Sequence, residues 1–374
     1  MKITVGMPAW NEEDSIGLAI NSLMDQTIFE HCKRLGATVD IFCIANGCTD
    51  NTVTIAEEAF DKYRSSHLYT DYFTATVYES SVPNRSHAWN DLVHTLSDKE
   101  TDYYIFMDAD IAFLDRDTLY QMLMELIENP EAILSADTPV KHIKRSKTKS
   151  LMNLFSISVT RVNRSAPGLI TGQLYCARGS FVRRFHLPDQ MIIDDGFIKW
   201  LGVTEFLTKT PTEEEITAMV RHSEGSHLFE AYTRPRDIFD NQVRQAVGNS
   251  ILDFTFQYLR QCMLKDPDTK VDTILLERYR ENPNWLKAEI ASFVSSRTFW
   301  VLKPGLLIAP FTKLKHLTWK NRFIYLPASC LVFLANLPVL LKANWTLKNL
   351  QLGSLWKDTK NSELRDASDL EQVV

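Results

Sequence analysis

The sequence lacks the cysteine spacing of a metal or redox motif. Its six cysteines (Cys32, Cys43, Cys48, Cys176, Cys262 and Cys330) are irregularly placed and none forms a C-x-x-C pair, which argues against structural zinc and thiol redox chemistry. Several lie inside apolar runs, where a reduced, buried thiol is expected. The sequence also lacks an excess of positive charge. Its 41 Lys and Arg against 47 Asp and Glu leave a net charge of −6, the wrong sign for a general nucleic-acid binder. There is no internal repeat. Met1 through Val5 enter a strand-like run at once, leaving no room for a signal peptide. A cytosolic active domain is expected, with Asn344-Trp345-Thr346 a chance sequon. What remains is ordinary globular material, 45% hydrophobic and 24% charged over 374 residues, enough for a large core.

The first 130 residues alternate strand and helix patterns. Ile3–Met7, Val39–Ala45, Phe73–Tyr78 and Tyr103–Met107 are β-rich runs. Between them Ile16, Ile20, Leu23 and Met24, then Val53, Ala56 and Phe60, then Trp89, Val93 and Leu96 recur at helical spacing, and Leu119, Met122, Leu123 and Leu126 follow the last strand. Such alternation implies βαβ units and a parallel sheet. Ile133–Ala136, Leu169–Ala177 and Ile216–His222 are further expected strands, and beyond about residue 250 the pattern becomes helical. The expected fold class is α/β, a Rossmann-like domain over 1–250. A helical extension over 251–297, an apolar segment over 298–350 and a disordered polar tail over 351–374 would follow.

Ligands of parallel α/β sheets bind outside the carboxyl ends of the strands. Asn11-Glu12, Asn46 through Asp50, Asn84-Arg85-Ser86 and Asp108-Ala109-Asp110 all fall there. The last is the sharpest feature, two carboxylates one residue apart at the end of an apolar strand. They would repel unless a cation sits between them, and hard oxygen ligands suit Mg2+ or Mn2+ with diphosphate oxygens completing the shell. The bland alternative is that Asp110 or Asp115 caps the next helix. His31, His67, His94 and His142 sit in polar company and are expected to be solvated. The basic stretch Lys141, Lys144, Arg145, Lys147 and Lys149 is expected to be an exposed loop, with contact to an anionic lipid or phosphorylated acceptor the alternative.

Six segments in order resemble motifs of the family 2 glycosyltransferases, which have the GT-A, nucleotide-diphospho-sugar transferase fold. Met7 through Glu13 resembles the opening "PAYNEE" motif, and Ala45 through Asp50 the "DDGSTD" turn. Asn84 through Asn90 resembles the "GKAxALN" loop, and Met107 through Asp110 the metal motif. Gly172 through Arg178 resembles the acceptor-side glycine strand, and Ile193 through Phe197 the "ED" motif. The resemblance implies a metal-dependent, inverting transfer from a nucleotide-sugar donor to a hydroxyl of a glycan or lipid-linked acceptor. It implies that Pro8, Asn11 and Glu12 floor the nucleoside site, that Arg85 lies near the phosphates, and that Asp108 meets ribose or metal and Asp110 the metal. Asn46 would accept from the base, although Ala45-Asn46 replaces the family's usual carboxylate pair. Gly172 and Gln173 would lie on the acceptor side. Asp195 would be the general base and Asp194, in place of the family's glutamate, would orient it. The alternative for this pair is a helix N-terminus answering the dipole. Asn241 through Gln245 keeps the arginine of the "QxxRW" motif, Arg244, as a candidate diphosphate contact, but lacks the tryptophan on which processive members rely.

Two other functions compete. A nucleotidyltransferase would carry a basic glycine-rich loop where Ala9 through Glu13 is acidic. A non-catalytic nucleotide-sugar-binding module would have no use for Asp108, Asp110 and Asp195 together. Finally, Phe323 to Leu341 is nineteen residues without charge, flanked by Lys313, Lys315, Lys320 and Arg322 on one side and Lys342 and Lys348 on the other, with Trp319 and Trp345 as interfacial aromatics. Residues 298–345 are therefore expected to contact the cytoplasmic face of a membrane, monotopic or re-entrant because Pro327, Asn336 and Pro338 oppose a clean span. A buried helical hairpin is the alternative.

Overall fold

The computed structural model describes residues 1–142, 168–230, 232, 234–312, 314 and 319–355. Most of the basic stretch, Lys144 through Lys149, lies outside them, as do Lys313, Lys315 and residues 356–374 of the tail. The apolar runs of the first hundred residues form β1 (Lys2–Ala9), β2 (Thr38–Asn46), β3 (Phe73–Ser80) and β4 (Tyr103–Met107), all mutually parallel. β5 (Ile111–Phe113), β6 (Leu134–Lys141), β7 (Leu174–Arg178) and β8 (Val220–Phe229) complete an eight-stranded sheet in the order β3-β2-β1-β4-β7-β6-β8-β5. β7 runs antiparallel to both β4 and β6, while β6 and β8 are parallel.

The sheet divides two cores. One face is covered by α1 (Ile16–Met24), α2 (Ile28–Leu35), α3 (Thr52–Ser66) and α5 (Thr118–Glu128), which bury Ile20, Leu23, Phe29, Phe60 and Leu123. On the other lies α4 (Arg85–Asp91), extended by a π-helical turn at Leu92–Leu96. It is followed by α6 (Gly179–Val182), α7 (Asp194–Val203) and α8 (Glu213–Met219). The C-terminal helices α9 (Pro235–Lys265), α10 (Val271–Glu281) and α11 (Trp285–Ser295) share that second core through Val243, Val247, Ile274, Leu275 and Trp285.

Two expectations are corrected. The strand expected over Ile216–His222 begins at Val220; the residues before it are α8, started by a capping box in which Thr212 Oγ1 accepts from Glu215 N and Glu215 Oε2 accepts from Thr212 N. The histidines are not simply solvated. His67 Nε2 lies 3.0 Å from the Met24 carbonyl and His94 Nε2 2.9 Å from that of Phe185. Burial, against that hydrogen bond, brings His94 down to about 4.

The apolar C-terminal segment is not a buried hairpin. It forms α12 (Gly305–Thr312) and α13 (Trp319–Lys348), which meet at Phe311 and Phe333, ring centroids 5.7 Å apart. Leu340, Ala343, Thr346 and Leu347 are in the core, whereas Leu331, Val332 and Leu334 are 68, 49 and 60% exposed. Among the described residues, Tyr325–Lys348 is the one helical stretch long and apolar enough to cross a membrane.

Candidate active site

The chain passes from β1 to β2 on one side and reaches β4 on the other. The crevice at which the strand order reverses is therefore the β1/β4 junction, the place where such sheets bind ligands. Pro8 at the end of β1 and Met107 at the end of β4 line a small cavity there, together with Arg85, Trp89, Tyr175 and Asp194. Its floor is aromatic. Phe106 stacks on Tyr175 at 4.7 Å and on Trp89 at 5.5 Å, and Trp89 Nε1 donates to the Tyr175 hydroxyl at 3.0 Å. The indole N–H is thereby satisfied in a buried place.

Arg85, the first residue of α4, is the centre of the site. Its Nη1 is 2.7 Å from Asp108 Oδ1, its Nε donates to Asp194 Oδ2 at 3.0 Å, and Nη2 donates to the Gly172 carbonyl. Burial opposes the charge, but Asp108 and Asp194 outweigh it and raise the guanidinium's pKa above its usual value. Arg85 thus ties the carboxylate at the end of β4 to the pair at the start of α7. Glycine at 172 eases the approach, since a Cβ there would lie 3.2 Å from Arg85 Nη2 and 3.5 Å from Asp194 Oδ1.

The two aspartates of α7 differ. Asp194 is 7% exposed and its oxygens are engaged by Arg85 and by Asp195 N. Asp195 is more open. Its Oδ2 accepts from Gly172 N at 3.1 Å and its Oδ1 from Gly196 N at 2.7 Å. Burial, and next the neighbouring Asp194 charge, push the Asp195 carboxyl up to about 6. Both residues are also the first turn of a helix, so the dipole reading and the site reading describe the same geometry.

Asp108 and Asp110 are both half-buried at the crevice, and Asp108 N donates to the Gln173 carbonyl at 2.8 Å. Helix α5 has Asp117, not Asp110 or Asp115, at its N-cap. Asn11 adopts φ 53°, and its Oδ1 accepts from Thr49 N at 2.8 Å. Glu12 N donates to Thr52 Oγ1 at 2.8 Å. These bonds zip the loop after β1 to the loop after β2, whose turn requires Gly47 at φ 70°. Asn46 is buried, and its carbonyl oxygen already accepts from Asn84 N at 3.0 Å. A donor on that side fixes the amide orientation. Arg244 lies half-buried on α9, one turn before Gly248, where a Cβ would collide with Ile193 just ahead of Asp194.

Sequence reasoning placed Asn84 at a strand end without giving it a role; it caps α4 through His87 N, donates to the Asp189 carbonyl and meets Asn46. An N-cap pattern before α4 was there to be read. Sequence reasoning missed the buried Asp137 and His227, which no short motif connects.

No curated protein sequence matches the chain. Among solved structures it is similar to a mannosyltransferase from Pyrobaculum calidifontis in complex with GDP-Man and Mn2+, with 17% identity over 89% of this chain and 86% of the other and a TM-score of 0.47. It is similar to glucosyl-3-phosphoglycerate synthase from Mycobacterium tuberculosis with Mg2+ and UDP, at 15% identity over 68% and 78% and a TM-score of 0.41. It is also similar to mannosyl-3-phosphoglycerate synthase from Rubrobacter xylanophilus, at 15% identity over 70% and 74% and a TM-score of 0.43. Residues 4–187, from β1 to just before Asp194, match the family described as Glycosyl transferase family 2, so this stretch of the chain is a glycosyltransferase family 2 domain.

Proposed function

We propose that the chain transfers a sugar from a nucleoside-diphosphate donor to an acceptor hydroxyl with inversion, one residue at a time. The observation that carries this reading is the Arg85 bridge between Asp108 and Asp194, which brings the donor carboxylate and the base helix together. The donor set at the crevice suits Mg2+ or Mn2+. Such ions are held by one or two carboxylates plus substrate phosphates rather than by a full protein cage, and no cluster of three or more metal-binding side chains exists among the described residues. Asp108 and Asp110 would hold the ion, which when bound offsets charge building on the departing nucleoside diphosphate.

The chain's own residues do the rest. Asp195 takes the proton of the acceptor hydroxyl as it attacks the anomeric carbon. Of the two aspartates it is the one an acceptor can reach, and a carboxylate oxygen that accepts one N–H keeps a further lone pair. Asp194, engaged by Arg85, orients it. Pro8, Asn11, Glu12 and Asn46 shape the nucleoside side, Asn46 offering its amide N–H groups as well as its oxygen. Gly172 and Gln173 face the acceptor, and Arg244 approaches the diphosphate from α9. The exposed face of α12 and α13 attaches the enzyme to a membrane, which suits a lipid-linked acceptor.

The test is binding of GDP and UDP with and without Mn2+, read as thermal stabilisation. Wild type should gain stability only with metal present, and Asp110→Asn should lose that gain while keeping its own melting temperature. An Asp110→Asn protein that responds like wild type would falsify the metal assignment.

A further inference from the structure

Behind the crevice lies a buried polar pair that the reading above does not use. Asp137 on β6 is 3% exposed and His227 on β8 is 0% exposed. His227 Nδ1 lies 2.7 Å from Asp137 Oδ2, and its Nε2 lies 3.4 Å from Gln173 Oε1. β6 and β8 pair in parallel with Pro139 opposite His227, so Asp137, two residues before Pro139, is a diagonal neighbour of the imidazole on the same face of the sheet, beside the register shift between Ala136 and Thr138. An ion-pair-capable couple in a dry core is also a poor way to gain stability, since an apolar pair of similar volume does as well or better.

The pair abuts the segment that organises the site. The Gln173 carbonyl accepts from Asp108 N, while neighbouring Gly172 gives its N–H to Asp195 and its carbonyl to Arg85. One stretch of backbone therefore sets both the donor carboxylate and the base. Its only long side chain, Gln173, ends against the imidazole that Asp137 holds.

We propose that Asp137 and His227 are positioning residues for the transfer reaction, acting through Gln173 to fix the Gly172–Gln173 backbone that aligns Asp195 with Asp108. Asp137 accepts from His227 Nδ1–H and so sets the ring's orientation, and the ring packs against the end of the Gln173 side chain. This rests on the glycosyltransferase reading and adds two residues to it, one of them 40 positions beyond the residues that match the family (187 to 227).

The experiment uses the full chain and whichever nucleotide sugar wild type consumes from a panel with Mn2+. The variants are Asp137→Asn, His227→Gln, their double mutant and Gln173→Ala, with Asp110→Asn as control. Each single variant should lower kcat by about 10- to 100-fold, the scale of a misplaced catalytic group. Affinity for Mn2+ with the matching nucleoside diphosphate should stay within about threefold of wild type, and the double mutant should be no worse than the worse single, because the residues act as one unit. Wild-type kcat at a reduced melting temperature would make the pair merely structural and overturn the proposal. A loss of Mn2+ affinity equal to that of Asp110→Asn would make His227 a ligand and overturn it too. If substitutions at 137 or 227 do not fold, half-buried Gln173→Ala decides alone, and wild-type kcat there sinks the idea. A panel on which wild type consumes nothing and Asp110→Asn binds diphosphate normally counts against the transferase reading; Gln173→Ala then decides by hydrogen exchange at Gly172 N–H, where wild-type protection overturns the proposal.

Discussion

At the scale of single residues, the strongest constraint is on Asp195. A general base works only when deprotonated, and this carboxyl is pushed up to about 6 by burial and by Asp194. Activity should therefore hold above that pH and fall as pH drops through it, about tenfold per pH unit below. The pH profile of kcat/KM checks this, and a profile flat from pH 7 to pH 4.5 contradicts it. Asp195→Asn should lower the transfer rate by about 10²- to 10⁴-fold with donor affinity nearly unchanged, since the group acts on the acceptor in the transition state. If Asp194→Asn is the more damaging change, the two roles are exchanged. The end of an apolar strand drew attention to Asp108 and Asp110, whereas Asp194 and Asp195 stood out through the family resemblance and not through local pattern. The double engagement of Arg85 was not legible, because its partners are 23 and 109 positions away (85 to 108 and 85 to 194). Nor was the contact between Asp137 and His227, which are 90 positions apart and meet only across the β6–β8 pairing.

At the scale of elements, the parallel half was readable because β1 and β4 at its centre are buried on both faces and read as continuous apolar runs, with the edge strand β3 only partly buried. β1 and β2 extend one or two residues past the runs Ile3–Met7 and Val39–Ala45. The antiparallel half was harder. β5 is three residues long, too short for a periodic signal, and exists because β8 pairs with it. The segment around Ile216 was read as a strand although Thr212 and Glu215 spell a helix start. That box gives a prediction. Thr212→Ala removes the acceptor for Glu215 N at an exposed position, so the loss should be local, about 1 kcal/mol. Urea denaturation should show a lowered midpoint, while metal-dependent nucleotide binding stays unchanged because α8 contributes nothing to the crevice. A change below about 0.3 kcal/mol would mean that the box is not what starts α8.

At the scale of the whole molecule, the apolar C-terminal segment has both of its ends in the same domain. Val301 and Leu302 are each 3% exposed at its start, and Leu340, Ala343 and Leu347 are buried at its end. A single crossing would put residues 301 and 340 on opposite sides of a bilayer, which one folded core forbids. The segment between them exposes Trp319, Tyr325, Leu331, Val332 and Leu334, the kind of apolar face that marks an interaction site. On the proposed membrane reading, the α12–α13 hairpin would lie in one leaflet rather than cross it. Removing the segment is a poor test, since it would strip Leu340 through Leu347 from the core. The better variant replaces Leu331, Val332 and Leu334 with glutamine. These side chains are already exposed, so the melting temperature should move by no more than about 2 °C. Wild type should float with vesicles containing anionic phospholipid, and the triple variant should remain at the bottom of the gradient. Should wild type also stay at the bottom, the exposed face serves another partner and the enzyme reaches its acceptor from solution.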